Sequence, residues 1–477
     1  MKTLVTIILL LASLTASAVE LPRAFDFRTD SIVLNHEYRA AWIATVEGID
    51  WPEIGDDAQT QEAELVKLIR DLAKVGCNAV FFQVMSNQDA MYRSNILPWS
   101  CYLNGTEGYN PGFDPLQVAV RTARECGMEI HAWINPLRAG AAEKYHDASS
   151  VVVRHPEWIQ SYKGKLYLDP GLPEVREYLA SVASELMSGY DIDGLHIDDY
   201  FYPSGLQDKE ADTWDDSAIY KEYGGSKTLD QWRYSNINEC VRALHNATHK
   251  LRPDALFGVS PAGRLPVTSR LYADPLQWVE LGIIDYLAPQ IYWTIERADF
   301  AAFDTVLHDW EPLMKDVPMF IGLAAYRYGP KAKGIDQAFV NISQFNRQLE
   351  LCRGSEQTKG HIWFAAHHIL DNDFIRFFKK EYSHPSLLPK ILKSPGIIPA
   401  APMIKAKGNT ISWTEVADAD SYALYALKRR HKSKVWDANL VYVGTKTEFK
   451  GIWDTNYFVI ALNGKDKSER SETVFTK

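Results

Sequence analysis

Tyr190-Asp-Ile-Asp-Gly-Leu-His-Ile-Asp-Asp-Tyr-Phe-Tyr-Pro203 is the stretch whose reading decides the fold. It has the pattern of a strand with an acidic end. Successive side chains of a strand point to opposite faces, so Gly194, His196 and Asp198 share one side and Leu195 and Ile197 the other. With Leu195 and Ile197 packed outward against helices, Gly194 clears space inside and Asp198 arrives at the C-terminal mouth. Tyr200, Phe201 and Tyr202 ring that carboxylate, a setting suited to chemistry on a sugar. Taken alone, an Asp-Asp pair serves equally well to cap the next element or hold an ion pair. Its surroundings decide between the two.

Working outward, seven further strand-like runs flank this one: Arg39 to Val46, Ala79 to Val84, Met128 to Asn135, Leu256 to Ser260, Ile284 to Trp293, Pro318 to Ala325 and His361 to Ala366. Several are continuous apolar runs, as in sheets buried on both faces. Amphipathic helical patterns separate them, notably Gln61 to Val75, with Leu65, Leu68, Ile69 and Leu72 on one stripe, and Asp336 to Cys352. Helix-to-strand turns are terse (Gly76-Cys77, Gly127, Gly189-Tyr190, Gly282), whereas most strand-to-helix loops are long and aromatic. Eight strands alternating with helices, with their long loops all on one side, predict a parallel (β/α)8 TIM barrel with its site at the C-terminal mouth.

The ends of the chain read differently. Lys2, the apolar run Leu4 to Leu14 and Ala16-Ser17-Ala18 form a secretory signal over residues 1–18, which implies export to a periplasmic or extracellular location. No later segment is apolar enough to predict a membrane span. The barrel is assigned to residues 19–383. Pro385, Pro389, Pro395, Pro399 and Pro402 mark a linker, 384–402. Residues 403–477 alternate in short runs such as Thr410 to Trp413 and Tyr457 to Ala461, predicting a small all-β sandwich of fibronectin type III kind. A net charge of −10 with no basic block argues against a nucleic-acid partner. The five cysteines are an odd count without metal-like spacing, so neither a disulfide framework nor a metal site nor a cofactor is expected, and the chain is expected to be a monomer.

From Arg39 to about Leu370 the chain resembles the glycosyl-hydrolase-like family 10 proteins. The resemblance rests on Ala41-Trp-Ile-Ala-Thr-Val46 with Ile49-Asp-Trp-Pro52, Gln83-Val84 with Asp89-Ala-Met-Tyr92, and Pro98-Trp-Ser100 with Asp114-Pro-Leu116. It continues through His131-Ala-Trp-Ile-Asn-Pro136 with Arg138, Leu168-Asp-Pro-Gly171 with Val175-Arg176, Asp193 to Pro203, Val259-Ser-Pro261 and Pro289-Gln-Ile-Tyr-Trp293. It implies an exported bacterial barrel acting on peptidoglycan or a related polysaccharide. Met85-Ser86 stand where the family has Arg-Pro, and Ala262-Gly-Arg-Leu265 where it tends to a Gly and a Trp-Arg-Asn run. Both departures bear on substrate identity more than on reaction class.

Glycoside hydrolysis commonly uses one ionised and one protonated carboxyl group. Asp198 is the candidate for the ionised member. Asp199 is either the general acid or a support, because strict alternation turns it away unless the strand has ended. The run also resembles the Asp-Gly-x-Asp-x-Asp-x-Glu strand of family-18 chitinases, with His196 and Tyr200 replacing the second Asp and the Glu. Tyr292 falls where those enzymes keep a Tyr that assists an N-acetyl group. Retaining, inverting and substrate-assisted routes all stay open. Gln83, Asp89, Tyr92, Asn135, Arg138, His196, Tyr200, Gln290, Tyr292 and Trp293 are the candidate substrate-binding residues, with Trp51 a further stacking candidate and Glu47 and Glu296 reserve acids. The alternative function is a non-catalytic glycan-binding barrel.

Overall fold

Eight parallel strands close into a barrel in the computed structural model, which describes residues 23–208, 214–297, 299, 301–391, 396–463 and 466–477. They are β1 Tyr38–Ile43, β2 Ala79–Met85, β3 Glu129–Ile134, β4 Gly194–Asp198, β5 Leu256–Ser260, β6 Tyr286–Leu287, β7 Met319–Ala324 and β8 Thr358–Phe364. Each pairs in parallel with the next, and β8 returns to β1. After them in turn come α1 Ala58–Lys74, α2 Pro115–Glu125, α3 Pro173–Gly189, α4 Leu229–Leu251, α5 Pro275–Leu281, α6 Phe303–Trp310, α7 Ser343–Gly354 and α8 Asn372–Glu381. This is the TIM barrel that the alternation predicts.

Local chemistry sets the elements. The Asp57 carboxylate accepts from the Thr60 amide at 2.9 Å and starts α1, which buries Leu65, Ile69 and Leu72. Outward-facing Leu195 and Ile197 of β4 join the apolar layer between strands and helices. Burying such a side chain fully contributes roughly 1.5–3 kcal/mol. The inward-facing layer is aromatic, with Tyr38, Trp42, Phe81, Trp133, Tyr286 and Phe320 filling the lumen. Gly194 makes the room expected of it: a Cβ there would come within 2.4 Å of His131 Nδ1 and 2.5 Å of the Leu256 carbonyl oxygen.

Three segments depart from expectation. The sixth strand shrinks from Ile284–Trp293 to two residues, because Pro289 has no amide to donate and the chain beyond it holds only single bridges at Gln290. The helix expected over Asp336 to Cys352 divides into a 3-10 turn, Gly334–Val340, and α7. The barrel unit spans His36–Pro395, so the residues from Arg23 to Asn35, assigned to it by sequence, belong instead with Gly396–Lys477. There Ser31–Leu34 adds a parallel edge strand beside Val435–Gly444. Trp436 Nε1 donates to Asp30 Oδ2 at 3.2 Å and anchors that edge.

The second unit consists of a larger sheet built on Ser421–Arg429, Val435–Gly444 and Asn456–Asn463 and a small antiparallel sheet of Ile404–Lys407, Thr410–Trp413 and Glu448–Lys450. Ile411, Trp413, Leu424, Tyr457 and Val459 form its core. The expected signal segment, residues 1–18, and residues 392–395 of the expected linker lie outside the described residues.

Candidate active site

β4 delivers Asp198 to the barrel mouth opposite Ser260, the last residue of β5. Asp198 is only 7% exposed, and burial pushes its carboxyl above the usual range. Opposing that push, the Asp199 amide donates to Asp198 Oδ1 at 2.8 Å and Gln290 Nε2 donates to the same oxygen at 3.1 Å. Gln290 Nε2 also reaches the Ser260 carbonyl at 3.0 Å, which ties the residue after Pro289 to the end of β5.

The strand has ended by Asp199, so the backbone bends and the two carboxyl groups meet. Burial raises Asp199 well above its ordinary value, and the charge of Asp198 raises it further. The charge of one carboxyl disfavours ionising the other, and Asp199 is raised the more strongly of the two. Two adjacent groups are thus driven apart in protonation state by burial and mutual charge, the arrangement from which acid and base roles are built.

Arg138 stands over this pair. It begins a small sheet inside the long loop after β3, with Arg138–Ala141 and Ile159–Tyr162 flanking Lys165–Leu168. Its guanidinium carbon lies 3.2 Å from the centroid of the Tyr200 ring, and its charge lowers the pKa of both Asp198 and Asp199. Arg138 Nε and Asn135 Oδ1 are buried without a hydrogen-bond partner. The Tyr292 phenol is held protonated by burial and by the charge of Asp198. Its ring faces Phe364 at 6.1 Å and the edge of Tyr326 at 5.8 Å, neither of which the sequence pattern singled out.

This is a mouth-facing constellation of acid, carboxylate, cation and phenol on a TIM barrel. The glycosyl hydrolase-like 10 family matches residues 37–341. The chain belongs to that family. Glycosyl hydrolase YngK of Bacillus subtilis is 34% identical over 75% of this chain and 74% of its own length. Glycosyl hydrolase DigH of Escherichia coli K12 is 33% identical over 68% of this chain and 82% of its own. Among solved structures, the PgaB (BpsB) glycoside hydrolase domain from Bordetella bronchiseptica is similar in fold, with a TM-score of 0.50 at 12% identity over 74% of this chain and all of that one.

The other candidates divide between site and scaffold. Asp89 lines a cleft with Arg138, Tyr102, Glu107, Lys144 and Lys165, and its buried carboxyl accepts from Ser100 Oγ at 2.5 Å. The two lysines, carried on the loop after β3, were not predicted; that loop also holds Arg138, Arg154 and Lys163, and this concentration of cations was the available signal. Glu47 lines the same cleft, whereas Glu296 is exposed and ion-paired with Arg347. Gln83 is a scaffold residue in this family member: its Oε1 accepts from the Thr45 and Val46 amides, both at 2.9 Å, and shapes the turn after β1.

Four further expectations are corrected. His196 does share the parity of Asp198, but it lies one layer down and is fully buried, bonded to Trp42 Nε1 at 3.2 Å, Ser260 Oγ at 3.0 Å and the Tyr286 hydroxyl at 3.0 Å. Tyr92 is likewise inaccessible and donates to Glu185 Oε2 at 3.3 Å. Trp51 is buried with its Nε1 on the Gln61 carbonyl. Trp293 turns into the apolar layer, against Gly263.

Proposed function

We propose that the protein is a glycoside hydrolase that cleaves a polysaccharide of N-acetylated amino sugars, of the cell-wall (peptidoglycan) class, by a substrate-assisted route. The observation that carries this reading is the adjacent Asp198 and Asp199 at the barrel mouth, with the Asp199 amide donating to Asp198 Oδ1 at 2.8 Å. Carboxyl groups on successive residues at one strand end do not straddle a scissile bond as paired nucleophile and acid do at roughly 5 Å, or as those of inverting enzymes do at roughly 6.5–9.5 Å. Both aspartates therefore work on one side of the sugar.

In that reading Asp199 gives its proton to the glycosidic oxygen as the bond to the anomeric carbon breaks. The carbonyl oxygen of the 2-acetamido group forms the new bond to that carbon. Asp198, ionised, takes the acetamido N–H, and the Tyr292 hydroxyl donates to the acetamido oxygen. Water then opens the oxazolinium ring and returns a proton to Asp199, with net retention. Arg138 stabilises the negative charge that remains on the pair once the proton has left.

The amino-terminal leader supports an exported, periplasmic or extracellular protein, and the carboxy-terminal unit is read as a fibronectin type III-like module. The protein is read as a monomer. The test is release of reducing ends from purified glycan strands by the full chain. Asp198→Asn is expected to lower turnover about 1,000-fold, or about 4 kcal/mol, with an unchanged melting temperature. A carbohydrate-thiazoline analogue is expected to inhibit. Glycan binding without any cleavage would leave the non-catalytic alternative, and full turnover by Asp198→Asn would remove Asp198 from the mechanism.

A further inference from the structure

At the opposite end of the barrel from the catalytic pair, His245 and His249 project from one face of α4 toward Asp285, the residue just before β6. One ring nitrogen from each histidine and one carboxylate oxygen of Asp285 lie within 4.8 Å of one another. We propose that these three side chains bind a divalent transition-metal ion, with zinc the best suited. Two imidazoles four residues apart on a helix and one carboxylate match the donor set and the spacing of three-ligand zinc sites, with water completing the tetrahedron.

The surroundings are already those of a ligand shell. His249 Nδ1 donates to the His245 carbonyl at 3.1 Å, which leaves its Nε2, 3.1 Å from Asp285 Oδ2, to face the cation. His245 Nδ1 has the Asn246 side-chain oxygen at 3.3 Å, and the ring rests edge-on to Phe257 at 6.0 Å. Asp285 is fixed twice over: its carboxylate accepts from the Phe257 amide at 2.7 Å and its own amide donates to the Phe257 carbonyl at 2.8 Å. The Phe257 amide binds the same Oδ2 that faces His249, and hydrogen-bonded partners of this kind characteristically orient metal ligands. All three residues are half-buried, so solvent and an ion can reach them. The last turns of a helix also carry partial negative charge that favours a cation. A bound ion would clamp α4 to the β5–β6 edge, far from the mouth, so its role is to stabilise the barrel.

Calorimetric titration of zinc chloride into the untagged, chelator-stripped full chain at pH 7.5 tests this. One equivalent is expected to bind and to raise the melting temperature by several degrees, reversibly with chelator. His245→Gln, which keeps the His249–Asp285 contact, is expected to melt like the parent without zinc and to bind zinc at least 10-fold more weakly. His367→Ala, at the separate His367–His368 pair, is expected to bind as the parent does. No binding by the parent would overturn the proposal. Equal binding by parent and His245→Gln would overturn it as well.

Discussion

The guanidinium carbon of Arg138 lies over the ring of Tyr200, 3.2 Å from its centroid, while its charge bears on the two carboxyl groups that precede that tyrosine. The stack fixes a planar cation where a flexible ammonium would wander. Arg138→Lys keeps the charge but loses the stack and the fork. We expect kcat to fall about 10- to 100-fold, equal to about 1.4–2.7 kcal/mol of transition-state stabilisation, with KM changed less. Arg138→Gln also removes the charge that lowers both carboxyls, so its pH–rate profile is expected to move bodily upward. An Arg138→Gln profile superimposable on that of the parent would show that the cation does not act on the pair.

Asp199 links pH to both activity and stability, in the same sense. Its folded pKa is raised well above the ordinary 3.8, first by burial and then by Asp198. Activity that needs the proton is therefore present below the raised value and lost as pH climbs through it. Stability follows the same proton. The folded state binds it more tightly than the unfolded state, so stability declines as pH rises from the ordinary value to the raised one. Asp199→Asn cannot lose that proton. It is expected to abolish the basic limb along with most turnover while melting higher than the parent at pH 8. A lower melting temperature at pH 8 would contradict this assignment of the proton.

Tyr92 and Tyr292 were both candidates by sequence, and the structure separates them. Tyr92 is fully buried on Glu185, whereas Tyr292 is half-buried with its phenol under the field of the aspartates. Tyr292→Phe is expected to lower kcat about 10- to 100-fold, about 1.4–2.7 kcal/mol, with little change in melting temperature. Tyr92→Phe is expected to leave kcat/KM within twofold and to lower stability by about 1 kcal/mol through the lost hydrogen bond. Steady-state kinetics and urea unfolding of the two variants decide it, and a reversed pattern would exchange their roles.

The barrel was legible because its signals are local and repeated: apolar runs, Gly-marked returns and an asymmetry of loop length. The placement of Asp198 at a strand end followed from side-chain parity alone. Parity could not separate layers, which is why His196, with the correct face but one step lower, was taken for a ligand contact. Tyr92 misled for a related reason, since a loop between β2 and α2 can still fold inward over an apolar layer. The Ser31–Leu34 strand was missed because a short parallel edge strand is defined by a partner some 400 residues away, as its register with Val435–Ala438 shows. The lysines of the cleft and the His245, His249 and Asp285 group needed the fold to bring them together, although the His-x-x-x-His spacing in a helical pattern was readable.

Gly194 offers the most direct test of the strand on which the site is built. It occupies the inward position one layer below His196, and a methyl group there would come within 2.4 Å of His131 Nδ1 and within 2.5 Å of the Leu256 carbonyl oxygen. The ring can swing only at the expense of its hydrogen bond to the Tyr38 hydroxyl, at 2.9 Å, and the carbonyl belongs to the neighbouring strand β5 and cannot swing at all. Gly194→Ala must therefore spread β4 from β5, and overpacking of this kind costs about 1–3 kcal/mol. Because Asp198 and Ser260 are paired in the same ladder, the separation is carried up to the mouth and weakens the contact of Gln290 with both. The expected result is a lower urea midpoint together with a fall in kcat that exceeds what the folded fraction accounts for. Unchanged stability would mean that the two strands tolerate a Cβ at this level, and that the glycine is there for some reason other than room.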